Sequence, residues 1–397
     1  MQQRRSGARG FAIPFGCVLR LGLACGIAGF LAAAPHVRAE EEDEEIFAIV
    51  DGEVVRTEED SAAPGAEEPA ARVKPPAGAK PPKYANRFAM PDPALELIDP
   101  RIYRLRVIIR IDSPESAAKN VVATGPIPMD WPEQRVRLIS EKMTPHCKSS
   151  ETVLKGQAAY LTFNVPQIAK GGSAFVERLY ELTRYRTRFL LPPEDMKLAR
   201  QAPKELKPQL AGVPPGVEID SPQMIALAES LRGTDEKAPA WDLVKSLWSW
   251  TRDNVEFQNG DFRGALYAIE NRCGDCEEMS ALFVGLCRLN GIHARTVWVE
   301  GHDYPEFYLL DQQGKGHWIP AQVVGPPWFG EITEYRPIFQ KGDRFYDGLQ
   351  KTYVRYVPTT VRGADAKVQP RVDFRHEILA DSDINGPSYV NPKRVVP

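Results

Sequence analysis

The sequence predicts an α+β fold, with a helix packed on an antiparallel sheet, preceded by an all-β sandwich-like domain. Three observations predict it. Alternating apolar residues dominate up to about residue 190, capped helical patterns run from 220 to 290, and short strand-like runs follow. With 397 residues, 43% of them hydrophobic, the chain can bury more than one core.

The first 39 residues read as a secretory signal. Arg4, Arg5 and Arg9 precede the apolar run Leu21–Ala34, and Val37-Arg38-Ala39 has a small-residue ending suited to cleavage after Ala39. The run is too short for a comfortable span, so a secreted or periplasmic product without a stable membrane anchor is expected. Cleavage removes five arginines and no acid, taking the formal charge from −3 to −8. A chain of that sign does not advertise nucleic-acid binding. Residues 40–93 start with the acidic block Glu40–Glu45 and continue through a proline-rich stretch, the composition of a disordered tether. Within them, β-branched residues flank Asp51-Gly52, a two-residue hairpin signal. Residues 386–397 read as a tail.

The all-β region is placed at 94–190. In Tyr103–Ile111, Tyr103, Leu105, Val107, Ile109 and Ile111 share one face, while Arg104, Arg106 and Arg110 take the other. YLTFNV (160–165) and AFVERLYELTRYRT (174–187) continue the β pattern. The second region is placed at 191–385. Asp220-Ser221-Pro222 supplies a cap and a first-turn proline, and Gly233 closes that helix. Trp241–Arg252 has Val244, Leu247, Trp248 and Thr251 on one stripe. A third helix runs from Cys276 to Asn290-Gly291, followed by ARTVWVEG, EFYLLD and GHWIPAQ as strands. YVRYV (353–357) and RVDFRHEIL (371–379) add strands near the end.

Four of the six cysteines lie beyond the leader, too few for a disulfide scaffold, and Cys147 is remote from the rest. Cys273 and Cys276 form a C-x-x-C pair. A thioredoxin-like reading needs a strand before the helix, whereas the preceding segment reads as helix or loop. A zinc site formed with Cys287 and His293 fails on length. Eleven helical residues separate Cys276 from Cys287 by roughly 16 Å, and ligands of one zinc lie within about 4 Å of each other. Cys287 shares a stripe with Met279, Phe283 and Leu286, the setting of a buried apolar thiol. The remaining reading makes Cys276 a nucleophile at a helix start, where the macrodipole favours thiolate, although Glu277 and Glu278 would oppose it if they faced the sulfur. Such a nucleophile needs a histidine base and a group to hold that histidine. An oxidising compartment could also close Cys273 onto Cys276.

The run G-D-C-E-E-M-S-A-L-F-V-G-L-C-R-L-N-G-I-H-A-R resembles the core motif of the transglutaminase-like superfamily, papain-related cysteine acyltransferases and hydrolases. His293 stands for the proline of G-I-P-A-R. The family motif H-A-W-P-E-F-Y-L is matched by His302-Asp303-Tyr304-Pro305-Glu306-Phe307-Tyr308-Leu309, with Tyr304 for tryptophan. The motif G-W-I-P-V-D is matched by His317-Trp318-Ile319-Pro320-Ala321-Gln322. The resemblance covers roughly residues 190–325 and implies a papain-like core with Cys276, His302 and Gln322 as catalytic residues. Gln322 replaces an aspartate. Its amide can accept Nδ1–H of the histidine, as an asparagine does in papain-like sites, without supplying charge.

The resemblance further implies a protein or peptide substrate, a Cys276 thioester, and hydrolysis (protease or amidase) or amine transfer (crosslinking). An inactive binding or scaffold protein on the same fold is the alternative, supported by Gln322. His317 is a rival base placed in a turn, and Asp311 a rival orienter. Glu306 is expected near the site or facing solvent, while Trp248, Trp250 and Tyr267 read as packing residues. The Cys276 N–H is the natural first oxyanion donor, with a second sought in 254–267. No Ca²⁺-loop signature occurs, and neither metal nor cofactor is expected.

Overall fold

A computed structural model describes residues 47–50, 53–56 and 92–379, apart from 156, 201–202, 234–238 and 348–350. The expected leader, nearly all of the tether and the tail lie outside the described residues. The chain divides into two units, 1–74 and 75–397. In the first, β1 (Phe47–Val50) and β2 (Glu53–Arg56) pair antiparallel with Val50 opposite Glu53, which leaves the two-residue connection that Asp51-Gly52 signals.

The second unit begins with long strands: β3 (Leu95–Ser113), β4 (Ala118–Ile127), β5 (Gln134–Met143), β6 (Lys148–Leu154), β7 (Ala158–Ile168) and β8 (Gly172–Phe189). The alternation in β3 is borne out, since Leu105, Val107, Ile109 and Ile111 are fully buried beside Leu161 and Phe163 of β7 in one core. A short strand β9 (Lys197–Leu198) leads to the helices.

Helix α1 (Pro222–Leu231) starts at Ser221, whose hydroxyl accepts the Met224 N–H, and Pro222 fills the first turn. Helix α2 (Ala240–Asn254) buries Val244, Leu247, Trp248 and Thr251, the stripe read from sequence. Next come β10 (Glu256–Phe257), α3 (Ala265–Asn271) and β11 (Cys273–Gly274). β11 pairs parallel with β10, so a two-residue strand stands where the sequence reads as helix or loop. Helix α4 (Cys276–Leu289) is almost wholly buried, and Cys287 lies in its core as a fully buried thiol.

Behind α4 lie β12 (Ala294–Val299), β13 (His302–Leu310) and β14 (Gly316–Pro320), an antiparallel meander. The remaining strands are β15 (Glu331–Ile332), β16 (Ile338–Lys341), β17 (Phe345–Asp347), β18 (Thr352–Val354), β19 (Thr360–Ala364) and β20 (Arg371–Leu379). They tie the two halves together. One nine-stranded sheet runs β14-β13-β12-β16-β7-β4-β19, with β9 on β13 and β6 on β7. A five-stranded sheet runs β15-β8-β3-β20, with β5 on β8. Strands 360–364 and 371–379, which follow the helical region in sequence, thus complete the β layers of the first region. The helical core and the β layers share one sheet. Among the described residues no helix is long and apolar enough to cross a membrane.

Candidate active site

Helix α4 begins with a capping box. Asp275 accepts the Glu277 N–H at 2.8 Å, and Glu278 reaches back to the Asp275 N–H at 2.8 Å. This fixes Cys276 as the first helical residue. Gly274 is required just before it, because a Cβ there would stand 2.6 Å from Glu278 Cβ. Across from the helix start, the backbone N–H of Asp303 points to the Cys276 sulfur. The thiol therefore lies against the 302–303 peptide at the beginning of β13.

His302 opens β13, and Gln322 follows β14. Their side chains meet, His302 Nε2 to Gln322 Oε1, at 3.3 Å. The expectation that Gln322 takes Nδ1–H is corrected: the ring presents Nε2 to the amide, which leaves Nδ1 as the other nitrogen. Gln322 is 2% exposed and its backbone is anchored. Trp248 Nε1 donates to its carbonyl at 2.7 Å, and Arg252 Nη1 does so at 3.2 Å. Trp248, expected only to pack, thus also fixes the strand end that carries Gln322. A lone indole in a helical stripe gives no sign of this in sequence.

The electrostatics depart from the helix-dipole expectation. Burial, then the Asp303 and Asp275 carboxyls, push the Cys276 thiol well above its ordinary value, with Glu277 adding to them. Two of the acids beside the helix start, Asp275 and Glu277, do act on the sulfur. His302 is pulled down to about 4 by burial and by Arg336, against smaller opposing effects from Glu334 and Gln322. At neutral pH the pair is thiol and neutral imidazole. Asp303 appears in the sequence only as part of the motif match and is given no role there. It occupies the alanine position of H-A-W, which is the one signal that could have marked it.

The rivals go elsewhere. His317 lies on β14 rather than in a turn, 2% exposed, with Nδ1 at 2.7 Å from Asp92 and Nε2 at 3.1 Å from Asp311. Asp311 therefore holds His317 and not His302. Glu306 neither faces solvent nor joins the helix start. It is 3% exposed and bonded to Arg295 (2.8 Å) and Lys341 (2.5 Å). Cys273 is a half-buried free thiol whose sulfur lies 3.8 Å from the Tyr267 hydroxyl, and Cys276 is free as well.

In the 254–267 segment searched for an oxyanion donor, several amides are already engaged. The N–H of Gln258 goes to Gly274, Arg263 to Glu278, Ala265 to Gly216 and Leu266 to Glu218. No group of three or more His, Cys, Asp or Glu among the described residues is arranged to hold a metal.

Residues 225–323 match the family model of the transglutaminase-like superfamily. A candidate cysteine protease from Cytophaga hutchinsonii is similar in structure at TM-score 0.50 and 15% identity, over 75% of this chain and 95% of that one. The periplasmic domain of TgpA from Pseudomonas aeruginosa aligns at TM-score 0.28 and 12% identity, over 57% of this chain and 93% of its own. No functionally curated protein matches the chain. The helix-on-antiparallel-sheet core, with a GDC cysteine at the helix start, thus lies in the part of the chain, residues 225–323, that matches the transglutaminase-like superfamily.

Proposed function

We propose that the chain is a cysteine acyl-transfer enzyme acting on amide bonds of proteins or peptides. The observation that supports this reading is the His302 Nε2–Gln322 Oε1 contact, with His302 next in the chain to Asp303, whose N–H meets the Cys276 sulfur at the first turn of α4. Gln322 accepts Nε2–H, which leaves Nδ1 with its lone pair as the base. Cys276 Sγ attacks the carbonyl carbon as its proton passes to Nδ1. The C–N bond then breaks and Nδ1–H protonates the departing amine, leaving a Cys276 thioester. Water as second nucleophile completes hydrolysis, and a primary amine completes transfer.

The low basicity of His302 suits concerted proton transfer better than a resting thiolate–imidazolium pair. The backbone N–H of Cys276, at the helix start, serves as the first oxyanion donor in this reading. A secretory leader ending at Ala39 would deliver the enzyme to the periplasm or the exterior.

A non-catalytic binding protein on the same fold is favoured by one observation, the carboxylates that suppress thiol ionisation. A proteome-derived peptide library with a biotinylated primary amine, scored by mass spectrometry, separates the two. Cleavage or amine incorporation by the wild type, lost at least about 10³-fold in Cys276→Ala and His302→Ala, is the expected result. A library left intact by the wild type supports the binding protein.

A further inference from the structure

Asp303 sits on the face of β13 turned toward α4 and is 1% exposed. Ser280, one turn along α4 from Cys276, donates to its Oδ1 at 3.0 Å. Its Oδ2 is buried with no hydrogen-bond partner among the described residues. Because the N–H of this same residue meets the Cys276 sulfur, carboxyl and thiol are held together by a single residue.

The charged surroundings are one-sided. Helix α4 and its cap bring Asp275, Cys276 and Glu277, all acids. The segment after β18 brings Arg355, the cation acting on Asp303. Arg355 is itself 3.4 Å from Glu277 Oε2, so its charge is shared. From β12, the residue opposite Asp303 is the uncharged Trp298. A buried carboxyl with one donor, one bare oxygen and acidic neighbours is costly to ionise, and once ionised it places a negative charge beside the sulfur.

We propose that Asp303 is a positioning residue acting through Cys276 as an electrostatic brake: its buried carboxylate opposes formation of the thiolate, and protonation releases the nucleophile. The proposal rests on the reading of Cys276 as nucleophile. Burial pushes both groups up, and the charge on Asp303 opposes ionisation of the thiol. His302 stays neutral down to about pH 4. The site is therefore most competent where His302 is neutral and Asp303 still holds its proton.

The test is alkylation of the full chain by iodoacetamide from pH 5 to 10, with the Cys276 peptide quantified by mass spectrometry. Asp303→Asn should lower the midpoint by about one pH unit or more and speed alkylation about tenfold at pH 7. Ser280→Ala, which removes a hydrogen bond favouring the ionised carboxyl, should speed it less, in the same direction. Thermal melting confirms that each variant folds. Profiles unchanged from wild type, or slower, in the folded variants overturn the brake. Alkylation needs no substrate. A shifted profile beside an unprocessed peptide library would therefore keep the brake and reject the enzyme, and the converse pair of results would do the reverse.

Discussion

Strand β13 carries two buried carboxylates three residues apart, and they have opposite surroundings. Glu306 accepts from Arg295 and from Lys341, and Lys341 reaches Glu133 on the far side at 2.5 Å. Burial pushes Glu306 up, but the two cations outweigh it and hold the carboxyl below its ordinary value. Asp303 has a single serine donor and acidic neighbours, and burial with the Glu277 charge pushes it well up, Arg355 only partly opposing. One end of the strand spends its charges on joining the β layers to the core. The start of the strand leaves a carboxyl, pushed toward its neutral form, acting on a thiol. A buried group with an unpartnered oxygen is costly to stability, and that cost falls on the carboxyl that faces α4.

The contrast breaks most readily at Lys341. Lys341→Met leaves Glu133 and Glu306 buried without their shared cation, and should cost about 3–5 kcal/mol in denaturant unfolding. A loss below about 1 kcal/mol would mean that the cluster is solvated and the comparison fails. Gln322→Ala is expected to lower kcat about 10- to 100-fold with KM little changed, because the His302 ring loses its orienting acceptor. A pure KM effect would make Gln322 a substrate contact instead.

The smallest effect concerns Asp303 and stability. The folded state holds its proton more tightly than the unfolded one, so folding takes up a proton once pH exceeds about 4. Stability contributed by this residue is thus fully present at low pH and declines as pH rises through the folded value. Asp303→Asn should flatten that decline, with thermal melting from pH 4 to 9 as the readout. A variant less stable than wild type at every pH would show the carboxylate to be structurally satisfied.

Local signals were legible in the sequence. The Leu105–Ile111 alternation, the Ser221-Pro222 cap and the α2 stripe each follow from periodicity or capping over a few residues, and all are present. Cys276 at a helix start was legible through Gly274-Asp275 and the apolar run behind it. What the residues alone did not show is non-local. Nothing in RVDFRHEIL says that it pairs with β3 across the whole helical region. Nothing near Glu306, expected at the site or facing solvent, signals the Lys341 that β16 brings to it across β12. The orientation of the His302 ring and the charge at Asp303 depend on neighbours from three separate segments, so spacing could suggest a triad without its electrostatics.

The most direct test of the central claim is to trap the acyl intermediate. Wild-type protein incubated with the peptide library, quenched in acid and mapped by mass spectrometry, should carry hydroxylamine-labile acyl adducts on the peptide containing Cys276. Digestion between the two cysteines should place them on Cys276 and leave Cys273 bare. Adducts on Cys273, or library processing that persists in Cys276→Ala, would contradict the account.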